Sequence, residues 1–248
     1  MRERDDFLAN IRGALGRSTP LEAPVSETPY SAGPPDELDR RVEMVRELIS
    51  RDADNLMSVL ASVAETSGWK VARVADAEAA GDYLVGVARE IEARSLVYSL
   101  HQVVRDALPM DALSEAGISA EPVALGHESE EQDAQDRARF RTVMEASDIG
   151  VTGVDYAISE TGTCVIIPRA GASRLVSLLP PVHIALVEKG QVLPSLDELF
   201  TLRRDDFVNG NLGSYMNLIT GPSRSADIEY KLITGVHGPG EVHMVLIG

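Results

Sequence analysis

Cysteine is almost missing from this sequence: among 248 residues only Cys164 carries a thiol. An intrachain disulfide is therefore excluded, and so is a zinc or iron–sulfur centre ligated by cysteines of a single chain. Any electron-transfer cluster must belong to a partner. Aromatic residues are scarce as well, at 4%, which leaves the core to Val, Leu, Ile and Ala. Basic residues are in deficit, 23 Lys and Arg against 39 Asp and Glu, for a formal charge of −16. That balance argues against a nucleic-acid or acidic-membrane partner, because phosphate attraction needs clustered cations. No apolar run approaches the ~18 residues of a membrane-spanning helix, so no membrane insertion is expected. The start M-R-E-R-D-D lacks the basic-then-apolar order of a signal peptide, and a cytoplasmic location is expected. There is no P-loop and no G-x-G-x-x-G after a predicted strand, so no cofactor is expected. His101, His127, His183, His237 and His243 show no metal-ligand spacing, and no metal is expected.

What is present is enough apolar residue, 44% of the chain, to bury one substantial α/β core. Phe7, Leu8, Ile11 and Leu15 recur at helical spacing over residues 3–16, and the proline-rich stretch 17–35 reads as an extended linker. Residues 1–35 are thus expected as a helical extension and 36–248 as the α/β domain. Two helices are expected from about Asp36 to Ile49 and Asp54 to Thr66, stopped by Gly68. Trp69–Val74, Ser95–Leu100 and residues 118–125 read as strands, alternating with helices at 76–91, 103–116 and 129–146. Such alternation signals parallel βαβ units. Ser195 is the expected cap of a helix reaching Leu202.

The least surface-like stretch runs from Asp148 to Arg169. Ile149–Val154 and Cys164–Ile167 suit buried strands, yet Asp155, Ser159, Glu160, Thr161 and Thr163 lie between them. A carboxylate near a sheet interior costs several kcal/mol unless it is paired or used. Asp155 and Glu160 are therefore candidate functional residues, the alternative being a turn cap and a solvated hairpin end. Thr220–Asp227, T-G-P-S-R-S-A-D, ends a strand in Gly-Pro and presents Ser223, Arg224 and Ser225 at an expected helix start. That arrangement suits a carboxylate or phosphate, although a simple serine cap has the same pattern. Gly235-Val236-His237-Gly238-Pro239 puts one imidazole in a rigid turn, where it can serve as acid or base or be an ordinary polar residue. His183, His243 and Cys164 sit in apolar runs and read as structural.

The run Asp155–Thr163, D-Y-A-I-S-E-T-G-T, together with Gly221–Glu229, G-P-S-R-S-A-D-I-E, and Gly235–Pro239, resembles the lactate utilization protein C family, the LUD-domain proteins. The resemblance implies a three-layer Rossmann-like open sheet of the NagB/RpiA/CoA transferase-like kind with a helical N-terminal extension. It also implies an accessory or subunit protein of an iron–sulfur-dependent system oxidising L-lactate to pyruvate, with iron–sulfur proteins as partners and a small anionic ligand. Ser159-Glu160-Thr161-Gly162 is in addition similar to the Ser-Glu-Asn-Gly segment of class I CoA transferases, departing from it at Thr161. The alternative is thus a stand-alone CoA-transferase-like or isomerase-like enzyme acting on a small carboxylate or sugar phosphate through Glu160. On either reading Glu160 and His237 are the expected catalytic residues, and Asp155, Thr161, Gly162, Thr163, Ser223, Arg224 and Asp227 the expected ligand-binding ones. Asp155, Glu160, Arg224 and His237 are expected to meet at one rim of the sheet.

Overall fold

A computed structural model describes residues 9–11, 13–14, 35–124, 130–169, 172–211, 213, 215–226 and 232–248. The chain divides into two units, Met1–Arg40 and Arg41–Gly248. Of the expected N-terminal helix five residues are described, all helical, and the expected linker lies outside the described residues up to Pro35.

The first long element is a single 33-residue helix, α1 (Pro35–Ser67), where the sequence suggested two. Neither glycine nor proline interrupts the polar stretch Ser50–Ala53, so the helix runs through it with Arg51 and Asp52 paired in solvent. Its end is a Schellman turn: Gly68 N–H donates to Glu65 O and Trp69 N–H to Ala64 O.

Six strands then build one sheet: β1 (Lys70–Val74), β2 (Ser95–Tyr98), β3 (Ser119–Pro122), β4 (Ile149–Gly153), β7 (Val182–Glu188) and β12 (Glu241–Ile247). Their order is β1-β12-β7-β4-β2-β3, and every pairing is parallel. The apolar runs of β4, β7 and β12 fill the buried middle, while the mixed strands β1 and β3 take the edges.

One face of the sheet is covered by α2 (Ala77–Glu90), α3 (Gln102–Ala107) and α4 (Met110–Glu115), with Leu84, Val104 and Leu113 packed on Leu96, Val151 and Ile184. The single helix expected over 103–116 is broken because Pro109 has no N–H to continue it. The other face holds α1 and a small sheet, ordered β8-β5-β6-β9, of β5 (Tyr156–Ile158), β6 (Thr163–Ile166), β8 (Val192–Leu193) and β9 (Asn217–Ile219). Here Met57, Leu60 and Trp69 pack with Ala157, Cys164, Val187 and Met244. Next to them α5 (Glu130–Ala146) rests Phe140 and Met144 on Val97 and Val176. Helix α6 (Leu196–Val208) begins at the expected cap, where Ser195 and Glu198 form a reciprocal capping box. Residues expected to open a helix after Gly221 instead form β10 (Arg224–Ala226), paired antiparallel with β11 (Leu232–Thr234). Among the described residues no helix is long and apolar enough to cross a membrane.

The two sheet faces are unequally crowded at β4. A Cβ on Gly150 would sit 1.9 Å from the Val176 carbonyl oxygen, which belongs to the 3-10 turn Arg174–Ser177. Gly150→Ala is therefore expected to cost about 1–3 kcal/mol by forcing this turn off the sheet, read as a lower urea midpoint at unchanged slope.

Candidate functional site

The two antiparallel strands β5 and β6 bring the central motif back over the sheet through the turn Ser159–Gly162. Ser159 is tied down on both sides, its N–H donating to Leu193 O and its hydroxyl to Pro194 O. Gly162 has φ +65° and lies so close to α1 that a Cβ would come within 2.8 Å of the Ala64 backbone. Its carbonyl accepts from Trp69 Nε1 at 3.0 Å, and Thr161 O accepts from Ser67 Oγ at 3.3 Å. The hydroxyls of Thr161, Thr163 and Thr220 form a chain with 2.7 Å links. Thr161, Gly162 and Thr163 therefore hold the end of α1 against the small sheet. Glu160 is exposed, with its N–H bonded to Pro194 O.

Arg224 reaches the same helix end. Its Nη2 donates to Ser67 O at 2.9 Å, supplying a cation and a donor where α1 leaves carbonyls unpaired. Ser223 ties the histidine loop: its N–H donates to Pro239 O, its carbonyl accepts from Gly235 N–H, and its hydroxyl accepts from His237 N–H at 3.2 Å. His237 is exposed, and Asp227 lies outside the described residues. Because Arg224 stands in a strand, the helix-start amides expected to hold an anion beside it are not formed.

The expected meeting of Asp155 with Arg224 and His237 does not occur. The loop carrying His237 leads into β12 at Glu241, which pairs with Val182, and Val182 pairs with Ile149. That loop lies at the amino edge of the sheet. Asp155 follows Gly153, the last residue of β4, and so lies at the carboxyl edge. Four steps of parallel strand, about 13 Å at ~3.3 Å per residue, separate the two edges.

At the carboxyl edge Asp155 has other neighbours, which the sequence did not single out. The chain leaves β2 outward toward β3 and leaves β4 in the opposite direction toward β7, so the sheet's topological switch point falls between these adjacent strands. Ligands of open α/β sheets collect outside the carboxyl ends of such strands. Beyond β2, Ser99 extends the ladder by donating to Val151 O, and the turn into α3 delivers His101 above Gly153, where a Cβ would meet the His101 Cβ at 2.6 Å. Ser99 Oγ and His101 Nδ1 are 2.7 Å apart. On the other side of the ring, Nε2 lies 3.9 Å from Asp155 Oδ2, within ion-pair reach and beyond a hydrogen bond. Asp155 Oδ2 accepts from Ile167 N–H and Oδ1 from Arg169 Nη1, each at 2.6 Å. Burial pushes the Asp155 carboxyl up, but His101, the Ile167 N–H and the Arg169 guanidinium together hold it below the usual carboxylate range. The cluster thus sets a half-exposed guanidinium and an oriented imidazole beside a charged carboxylate. Ser99, 1% exposed, is buried beneath the histidine rather than open to a substrate.

His183 and His243 are internal. Thr152 Oγ1 and His183 Nε2 are 2.8 Å apart, both residues fully buried, with Trp69 across the ring. His243 is held between Tyr83 Oη and Glu241, which in turn pairs with Lys70. Cys164 is fully buried, and burial pushes its thiol up.

Two measurements follow from these contacts. Arg224→Ala is expected to lower stability by about 1 kcal/mol through the lost bond to Ser67 O, read by urea unfolding. Burial pushes His183 down to about 3, so it is neutral in the fold, whereas the unfolded chain takes up its proton below about pH 6.5. Stability carried by this group is complete above that pH and is lost as pH falls toward 3, by up to about 1.4 kcal/mol per unit. His183→Gln is expected to flatten the change in unfolding free energy between about pH 7.5 and 5.5 by roughly 1 kcal/mol relative to wild type.

Known proteins resemble the chain at each of these levels. The LUD domain family model matches residues 57–247. Lactate utilization protein C of Exiguobacterium sp. strain AT1b is 31% identical over 248 residues, covering 98% of this chain and 95% of that one. The protein of the same name from Bacillus subtilis is 38% identical over 104 residues, 42% of this chain and 43% of its own. A crystal structure of a DUF162 family protein from Deinococcus radiodurans shares the fold, with a TM-score of 0.51 and 18% identity over 79% of this chain and 98% of that one. A match across nearly the whole α/β unit, with a relative aligned from end to end, places the chain in the LUD-domain family.

Proposed function

We propose that this protein acts in lactate utilization, as an accessory or subunit protein of an iron–sulfur-dependent system that oxidises L-lactate to pyruvate in the cytoplasm. The observation that carries this reading is the end-to-end relationship to a lactate utilization protein C. The lone, buried Cys164 adds to it, because electrons taken from a hydroxy acid would have to pass to a cluster held by another chain. The chain's own part would be to bind a small anion, and the charged groups suited to that lie at the carboxyl edge around Asp155. Glu160 stands exposed at a hairpin end, while Arg224 and Thr163 near that end are engaged with α1 and the small sheet. This favours the accessory role over covalent chemistry through Glu160.

Deleting the gene is expected to abolish growth on L-lactate as sole carbon source while leaving growth on pyruvate intact. Anaerobic affinity capture of the tagged chain should bring down iron-bearing proteins. Normal growth of the deletion strain on L-lactate would overturn the role.

A further inference from the structure

The carboxyl-edge cluster contains one buried polar atom that no described residue satisfies. His101 has 6% of its side chain exposed, and its Nε2 has no hydrogen-bond partner among the described residues. Leaving such an atom unpaired costs about 1–3 kcal/mol, and a native fold that tolerates this commonly fills the position with something it binds. The protonation of the ring follows from its other nitrogen. Ser99 Oγ has His101 Nδ1 as its one partner among the described residues, so the serine hydroxyl is free to donate its proton there. With the serine as donor, the imidazole proton sits on Nε2, the nitrogen that faces Asp155.

The gap is thus bordered by a donor, Nε2–H, and an acceptor, the Asp155 carboxylate, 3.9 Å apart. A hydroxyl oxygen placed beside the gap, about 2.8 Å from each, can accept from the first and donate to the second. A cation stands next to it. Arg169, half exposed, uses Nη1 for Asp155 Oδ1 and Ile167 O, and its remaining N–H groups have no acceptor among the described residues. The gap and the guanidinium flank the two oxygens of one carboxylate, so the hydroxyl and the charge that touch them must be close together in the molecule, as they are in a 2-hydroxy acid.

We propose that Ser99, His101, Asp155 and Arg169 form a binding site for a short hydroxy acid. Its hydroxyl lies beside the gap, about 2.8 Å from both His101 Nε2 and Asp155 Oδ2, and its carboxylate pairs with the open side of Arg169. The choice of L-lactate as the hydroxy acid rests on the function proposed above; the site itself rests on the geometry. His101 and Asp155 read the hydroxyl, Arg169 reads the charge, and Ser99 is a positioning residue that sets the tautomer of the ring.

Calorimetric titration of the purified full chain separates these roles. L-Lactate should bind saturably, and propionate, equal in charge and chain length but without the hydroxyl, about tenfold or more weaker, the factor expected for a lost hydrogen bond to a charged group. His101→Phe should lose this selectivity, Arg169→Gln should weaken both ligands together, and Arg51→Ala, in an exposed pair on α1, should bind as wild type does. Thermal melts check that each variant folds. Should His101→Phe fail to fold, the lactate-to-propionate ratio of the wild type decides by itself. Equal binding of the two ligands, an unchanged ratio in folded His101→Phe, or no saturable heat up to about 10 mM L-lactate would overturn the site. Absent binding combined with lost growth on L-lactate overturns the site and leaves the role. Binding combined with normal growth does the reverse.

Discussion

Because all six strands of the central sheet run the same way, every residue that follows a strand is delivered to one edge and every residue that precedes one to the other. This polarity decides which side chains can act together. It brings Asp155, after β4, beside Ser99 and His101, after β2, across a separation of 54 positions in sequence between His101 and Asp155. It also keeps the histidine of the Gly235–Pro239 loop away from them, since that loop leads into β12. The order of the strands adds the second constraint. Only at β2 and β4 do neighbouring connections part in opposite directions, the place where ligands of open α/β sheets collect.

The polar residues at the opposite edge answer a different physical demand. A 33-residue helix ending inside a protein leaves its last carbonyls in search of donors. The Schellman turn at Gly68 satisfies Ala64 and Glu65, and Arg224 satisfies Ser67. Trp69, Ser67 and the threonine hydroxyls then fasten the helix end to the β5–β6 hairpin. The Thr161–Gly162 end of the conspicuous run of Ser, Glu, Thr and Gly thus seats the end of α1. The burial of Met57, Leu60 and Trp69 beneath it is worth about 1.5–3 kcal/mol per side chain, which explains why an exact fit at the seat matters.

The alternation of elements was plain from periodicity, as were the buried strands of the central motif and the helix cap at Ser195. Three local readings failed for identifiable reasons, one of them the helix over 103–116, which Pro109 breaks. The long first helix was divided at its polar stretch Ser50–Ala53, although that stretch contains no residue that stops a helix. The segment after Gly221 was expected to be a helix because Ser-Arg-Ser after Gly-Pro fits a cap, whereas pairing with Leu232–Thr234 made it a strand. Of the carboxyl-edge cluster, Asp155 stood out as a charge between apolar runs. His101 and Arg169 did not, since a histidine after one strand and an arginine in a turn have no local signature.

Composition and pattern alone determined that this is an α/β chain with a buried parallel sheet, with a single cysteine, and with a few charged residues set among apolar ones. Those properties follow from local propensity and from the cost of burying charge, both of which act residue by residue. Which charged residues meet was decided only by the tertiary structure. Strand order and direction are set by the packing of the whole core, and no short stretch of sequence states that β2 lies beside β4.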